Sequence, residues 1–121
     1  MKVPVTSLLL LGSSMAFAEL QLSEVLYDTP GTDSIEEWIE IYNPGCDEVD
    51  LSSYTLADNG STFALSGTLA ANTYYVVAKN SSGFEALYGF LPDASGLSLS
   101  LGNSGDYVTL SKDGTQVDML A

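Results

Sequence analysis

Apolar and polar positions alternate along most of this chain, and the alternation is strictest in Glu36-Glu37-Trp38-Ile39-Glu40-Ile41-Tyr42-Asn43. A period of two sends Trp38, Glu40 and Tyr42 to one side and Glu37, Ile39, Ile41 and Asn43 to the other. Ile39 and Ile41 mark the core face, and the opposite face, with its rings and carboxylate, is expected to meet solvent in part. The run is rich in β-branched and aromatic residues and stops at the turn signal Asn43-Pro44-Gly45. It predicts the central strand of an antiparallel sheet, the element around which the rest is organised.

Shorter runs of the same kind flank it. Glu19 to Tyr27 alternates with Leu20, Leu22 and Val25 inward, and its phase shifts at Ser23-Glu24, as a bulge requires. Asp28 to Asp33 is a turn-rich loop. Val49-Asp50-Leu51 and Tyr54 to Ala57 predict short strands, with a turn at Ser52-Ser53. Asp58-Asn59-Gly60-Ser61 carries the Asn-Gly hairpin signal before a returning strand, Thr62 to Leu65. Ser66 to Asn72 reads as loop. Thr73 to Lys79 is the most β-prone run and is expected to be central. Asn80-Ser81-Ser82-Gly83 breaks it, and Phe84, Leu87 and Tyr88 have the spacing of one helical turn, a connector. Leu97, Leu99 and Leu101 alternate with serines as in a half-buried strand. Gly102 to Asp106 leads into Tyr107 to Ser111, and Asp113-Gly114 predicts a hairpin turn into Thr115 to Ala121. The sum is seven to nine short strands, regular turns and no long helix, an all-β sandwich pattern.

The first eighteen residues follow different rules. Met1-Lys2 is a short positive start, Val5 to Leu11 is an apolar run too short to span a bilayer, and Ala16-Phe17-Ala18 fits the small-x-small cleavage rule. Residues 1–18 are therefore expected to be a signal peptide and 19–121 an exported domain; an uncleaved anchor is the alternative. No second apolar segment of membrane length follows. The last strand reaches Ala121 without a stop signal, which suggests a longer natural chain.

Charge and composition narrow the chemistry. The net charge is −13, from sixteen carboxylates against three lysines, with no histidine and no arginine. No imidazole base, Ser-His or Cys-His pair is available, and no bidentate phosphate clamp. So acidic a surface argues against direct nucleic-acid binding. With 121 residues the chain holds at most one domain.

Five stretches, in this order and spacing, carry a resemblance: Ser23-Glu24-Val25-Leu26-Tyr27-Asp28; Glu37-Trp38-Ile39-Glu40-Ile41-Tyr42-Asn43; Val49-Asp50-Leu51-Ser52-Ser53-Tyr54-Thr55-Leu56; Leu69-Ala70-Ala71-Asn72-Thr73-Tyr74-Tyr75-Val76-Val77-Ala78; and Leu101-Gly102-Asn103-Ser104-Gly105-Asp106-Tyr107-Val108-Thr109-Leu110. From about Leu20 to Ala121 the chain resembles the lamin tail domain family. The resemblance implies an immunoglobulin-like antiparallel β-sandwich and a non-catalytic module. In nuclear lamins such a domain binds partners on a filament. In bacteria similar domains occur in exported proteins, often beside hydrolases such as secreted nucleases and phosphoesterases. The signal-peptide pattern and the acidity suit the bacterial exported branch. The family has no catalytic motif to carry over, and its usual last strand runs past the position of Ala121.

Among individual residues, Glu24, Asp28, Glu37, Glu40 and Asp58 are a candidate weak Ca²⁺ site if one end of the sandwich gathers them; otherwise they are a solvated acidic face. A carboxylate pair for glycoside hydrolysis is set aside, because pairs arise by chance in so acidic a chain. Trp38, Tyr42, Tyr54, Tyr74 and Tyr75 are candidates for an aromatic platform, best at Trp38 with Tyr42, or else for packing between strands. Cys46 is the only cysteine, so its partner is intermolecular, lies beyond Ala121, or does not exist. Asn59-Gly60-Ser61 and Asn80-Ser81-Ser82 match the glycosylation sequon but read as turn chemistry. No catalytic or cofactor-binding residue is expected. The functional expectation is a binding or scaffolding module that presents a sandwich face to a protein or cell-surface partner. The alternative is an accessory domain of a secreted hydrolase, a nuclease or phosphoesterase, whose chemistry lies after residue 121. Carbohydrate binding rests on the aromatics alone.

Overall fold

A computed structural model describes residues 19–26, 36–99 and 107–120. The predicted signal peptide, Tyr27, the loop at Asp28 to Asp33, Leu101, the Gly102–Asp106 turn and Ala121 lie outside the described residues. Among those described, the chain forms nine strands: β1 (Gln21–Leu26), β2 (Trp38–Tyr42), β3 (Val49–Asp50), β4 (Tyr54–Ala57), β5 (Thr62–Ala64), β6 (Thr68–Leu69), β7 (Tyr74–Ala78), β8 (Val108–Lys112) and β9 (Thr115–Leu120). A short 3-10 turn covers Leu51–Ser53, and an α-helix, α1 (Ser81–Tyr88), follows β7. The order β1-β2-β7 makes one sheet, β5-β4-β8-β9 a second, and β3-β6 a short ribbon, and every strand pair is antiparallel. This is an antiparallel β-sandwich, as the alternation predicts, and of the immunoglobulin-like kind that the resemblance implies.

The core lies where the two larger sheets face each other. Leu20, Leu22, Ile39, Ile41 and Val77 meet Leu51, Tyr54, Leu56, Val108 and Leu110, with Leu97 and Leu99 closing one side. β2 is the middle strand of its sheet, and Ile39 and Ile41 are fully buried. The predicted bulge is present: the register with β2 slips between Leu22 and Glu24. The slip turns Val25 toward Ile39 on the inner face and Glu24 toward Glu40 on the outer one.

Turn chemistry follows local residues in one hairpin and departs from expectation in another. Asp113 (φ 50°) and Gly114 (φ 83°) make the two-residue turn with two left-handed positions between Lys112 and Thr115. The Asn59-Gly60 hairpin is a four-residue loop instead, since Ala57 pairs with Thr62. Asp58 Oδ1 accepts from the N–H groups of Gly60 (2.8 Å) and Ser61 (2.7 Å), an arrangement that makes the tighter turn unnecessary. Asp50 likewise accepts from Ser52 N–H at 2.9 Å, which holds its carboxyl below its ordinary range.

Three expectations are corrected. β7 ends its sheet, with β2 as its one strand neighbour, and the irregular segment after α1 seals the free side: Ala78 N–H donates to Ala94 O, Ala94 N–H to Val76 O, and Asp93 Oδ2 accepts from Val76 N–H. The stretch Ser66 to Asn72 contains β6, which pairs with β3. Leu97 and Leu99 are buried around an exposed Ser98 but form no ladder; Ser98 Oγ donates to Thr62 O and ties the segment to β5. Burial at alternate positions needs an extended backbone and not a paired one.

Candidate interaction face

The outer face of the β1-β2-β7 sheet is where the exposed chemistry gathers. Trp38, Glu40 and Tyr42 point outward from β2, opposite Ala78, Val76 and Tyr74 of β7 and opposite Leu26, Glu24 and Gln21 of β1. The two ends of this face differ.

At the Trp38 end, α1 forms a roof. Asn80 caps it, with Oδ1 accepting from Gly83 N–H at 2.7 Å and Ser82 Oγ–H at 2.8 Å. Gly89, at φ 83°, ends it with N–H donating to Glu85 O. Between these stops Phe84 is 3% exposed and meets Trp38 edge-on at 6.1 Å, with Val76 and Ala78 completing a second small core. Trp38 Nε1–H donates to Tyr88 Oη at 3.1 Å. The expected connector is thus a two-turn helix, and Trp38, expected near solvent, is covered. The capping Asn, the Phe84/Leu87/Tyr88 spacing and the terminal Gly89 were the available signals.

Beyond the roof the chain stays exposed. Leu87 (50%), Phe90 (56%) and Leu91 (61%) stand out from the end of α1, and Phe90 packs edge-on to Phe84 at 5.2 Å.

At the other end the sheet is bare. Tyr42 and Tyr74, cross-strand partners, hold their rings 4.6 Å apart and tilted by 35°, and Tyr74 is 56% exposed. Of the aromatic candidates, Trp38 packs beneath α1, as the packing alternative has it, and Tyr42 pairs with Tyr74 instead of with Trp38. Tyr54 is a core residue whose hydroxyl donates to Glu19 Oε1 at 3.2 Å; burial, then the Glu19 charge and hydrogen bond and the Asp113 charge, push it up to about 12. Tyr75 faces inward, donates to Ser66 O, and is raised by burial and by Asp93.

The acidic candidates do not converge. Glu24 and Glu40 oppose each other on the outer face. Glu37 is buried on the inner side and lies 4.0 Å from Lys79 Nζ. Asp58 caps a turn of the other sheet, and Asp28 lies outside the described residues. Among the described residues no group of three or more His, Cys, Asp or Glu could hold a metal ion, and no helix is long and apolar enough to cross a membrane. An open groove of about 570 Å³ runs between β1 and β9, lined by Glu19, Leu20, Leu22, Val117, Asp118 and Leu120, with Leu22 N–H bridged to Asp118 Oδ2 at 2.7 Å.

Pattern reading missed one residue that holds this face in place. Asn43 is fully buried just past Tyr42. Its Nδ2 donates to Asp47 O (2.9 Å), Leu69 O (3.1 Å) and Ala70 O (3.3 Å), and its Oδ1 accepts from Gly45 N–H. One amide thus ties the Pro44–Asp47 turn to the β6–β7 connection. Cys46, in that turn, is an exposed free thiol. Asn80 of the second sequon is the N-cap of α1, not a turn residue.

A family model described as Lamin Tail Domain matches residues 13–121. No curated protein gives a match to the chain.

Proposed function

The chain belongs to the lamin tail domain family, and from that premise we propose that it is a non-catalytic binding or scaffolding module of an exported bacterial protein, presenting its outer sheet face to a protein or cell-surface partner. The family is one of β-sandwich domains without a catalytic centre, which fits a chain that has no histidine. The observation that carries the reading is the cluster of Leu87, Phe90 and Leu91, each at least half exposed on a protein of net charge −13. Apolar side chains grouped on so charged a surface are the usual mark of a contact site. Export is supported by Lys2, the Val5–Leu11 run and Ala16-Phe17-Ala18. The test is a Phe90→Ser/Leu91→Ser variant whose thermal melt shows the fold kept despite the lost Phe84–Phe90 contact. Cross-linking in the native host should give an adduct with the wild type that this variant loses; an adduct retained by both sinks the assignment of the face.

A second reading, an accessory domain of a secreted nuclease or phosphoesterase, draws on the exposed thiol of Cys46, available to a partner cysteine elsewhere. The intact mass of the native exported product, reduced and unreduced, decides between them. A mass equal to residues 19–121 supports the free-standing module; a much larger one supports the accessory domain.

A further inference from the structure

The bare end of the outer face has a composition that is unfavourable for the free protein. Glu24 and Glu40 are direct cross-strand partners, the arrangement in which like charges repel. The bulge creates it: with unbroken alternation from Leu22, Glu24 would face inward. Ser23, the extra residue, donates its hydroxyl to Glu40 Oε1 at 2.9 Å and fixes that carboxylate in place. No cation of the described residues answers the pair, since Lys79 lies against Glu37 and Lys112 sits over the Tyr54 ring at 5.8 Å. Tyr42 and Tyr74 stand one step along the same face, with Tyr74 more than half exposed. Exposed aromatic rings beside carboxylates are complementary to one kind of group, a cationic side chain with an aliphatic stem.

Resting on the reading of this face as a protein-binding one, we propose that Glu24, Glu40, Tyr42 and Tyr74 form a subsite for an arginine or lysine of a basic, extended partner segment. The cation lies against the tyrosine pair and between the two carboxylates, while the partner's apolar residues meet Leu87, Phe90 and Leu91. A second copy of this chain is a poor occupant, because two surfaces of charge −13 repel.

The test uses an acetylated, amidated hexapeptide of alternating arginine and serine, followed by amide NMR shifts at low and physiological salt. Shifts should gather at Gln21–Glu24, Glu40–Tyr42 and Tyr74–Val76 and weaken with salt. Glu24→Gln/Glu40→Gln keeps the acceptor for Ser23 and removes both charges. It should weaken the peptide by about tenfold while leaving the melting temperature equal or slightly higher, a combination that a structural role would not produce. Glu85→Gln/Asp113→Asn removes two charges away from the subsite and should leave binding within about twofold. Equal weakening by both pairs, or shifts spread over the whole acidic surface, overturns the subsite. So does binding of a neutral oligosaccharide at the tyrosines in place of the peptide. Phe90→Ser/Leu91→Ser should still bind the peptide. A failure confined to the peptide therefore removes this subsite alone, and an adduct retained by that variant removes the broader reading.

Discussion

The two ends of the outer sheet face begin alike and finish differently. Each has an outward ring on β2, Trp38 at one end and Tyr42 at the other, paired across to β7. At the Trp38 end, Phe84 of α1 descends onto the ring and makes a second core with Val76 and Ala78. At the Tyr42 end no helix of the described chain descends, and Tyr42 leans on Tyr74 with its hydroxyl donating to Asn72 Oδ1 at 3.5 Å. Strand pattern places rings on a face; a covering element decides whether that face becomes core or surface. The covered end is packed as core, and the bare end, where a like-charge pair is retained, is the end proposed for recognition.

The largest expected effect lies at the covered end. Phe84→Ala should destabilise by about 3–5 kcal/mol, the range for removing a buried aromatic ring. Denaturant unfolding followed by Trp38 fluorescence reads it; a loss under about 1 kcal/mol would mean the roof is not packed as described. Asn43→Ala comes next, at about 2–3 kcal/mol, because three carbonyls lose a buried donor. If it proves neutral, the bare end is not held from beneath.

An alkaline series supplies a reference on the opposite sheet. Tyr54, ordinarily at 10.0, is raised to about 12, so over that window the folded protein keeps a proton that the unfolded chain has released. Its stability contribution is present below pH 10 and is lost as the pH rises to about 12. Thermal melts should fall over this range, and Tyr54→Phe should flatten the fall; an unchanged slope removes Tyr54 as its source. Smaller still, Asn80→Ala should loosen the roof by about 1 kcal/mol and Asn80→Asp should restore it, read by denaturation and helical circular dichroism. The smallest change is at the bare end. Tyr74→Ala should lower stability by about 0.5 kcal/mol, while weakening the arginine peptide. A loss as large as that of Phe84→Ala would erase the contrast between the two ends.

Much of the frame was legible. The alternation around Ile39 and Ile41, the bulge at Ser23-Glu24 and the Asp113-Gly114 turn are local, since each depends on pleat or on φ within a few residues. The misread parts depend on distant partners. β7 looked central by composition, yet its second neighbour is an irregular segment around Ala94. Leu97 and Leu99 looked like a strand, because burial alternates there without a ladder. The helix was read one turn too short: its apolar spacing spans only five residues, and its cap and stop lie just outside them.

By itself the sequence determined the fold class, the central strand, its core face and the acidic character, because periodicity and charge are properties of neighbouring residues. Tertiary structure alone decided that Trp38 is buried while Tyr42 is open, that Tyr74 is the partner of Tyr42, and that Glu24 opposes Glu40. The first outcome is set by where α1 lands and the other two by strand pairing, through contacts between segments distant in the chain, although the bulge that turns Glu24 outward is itself local.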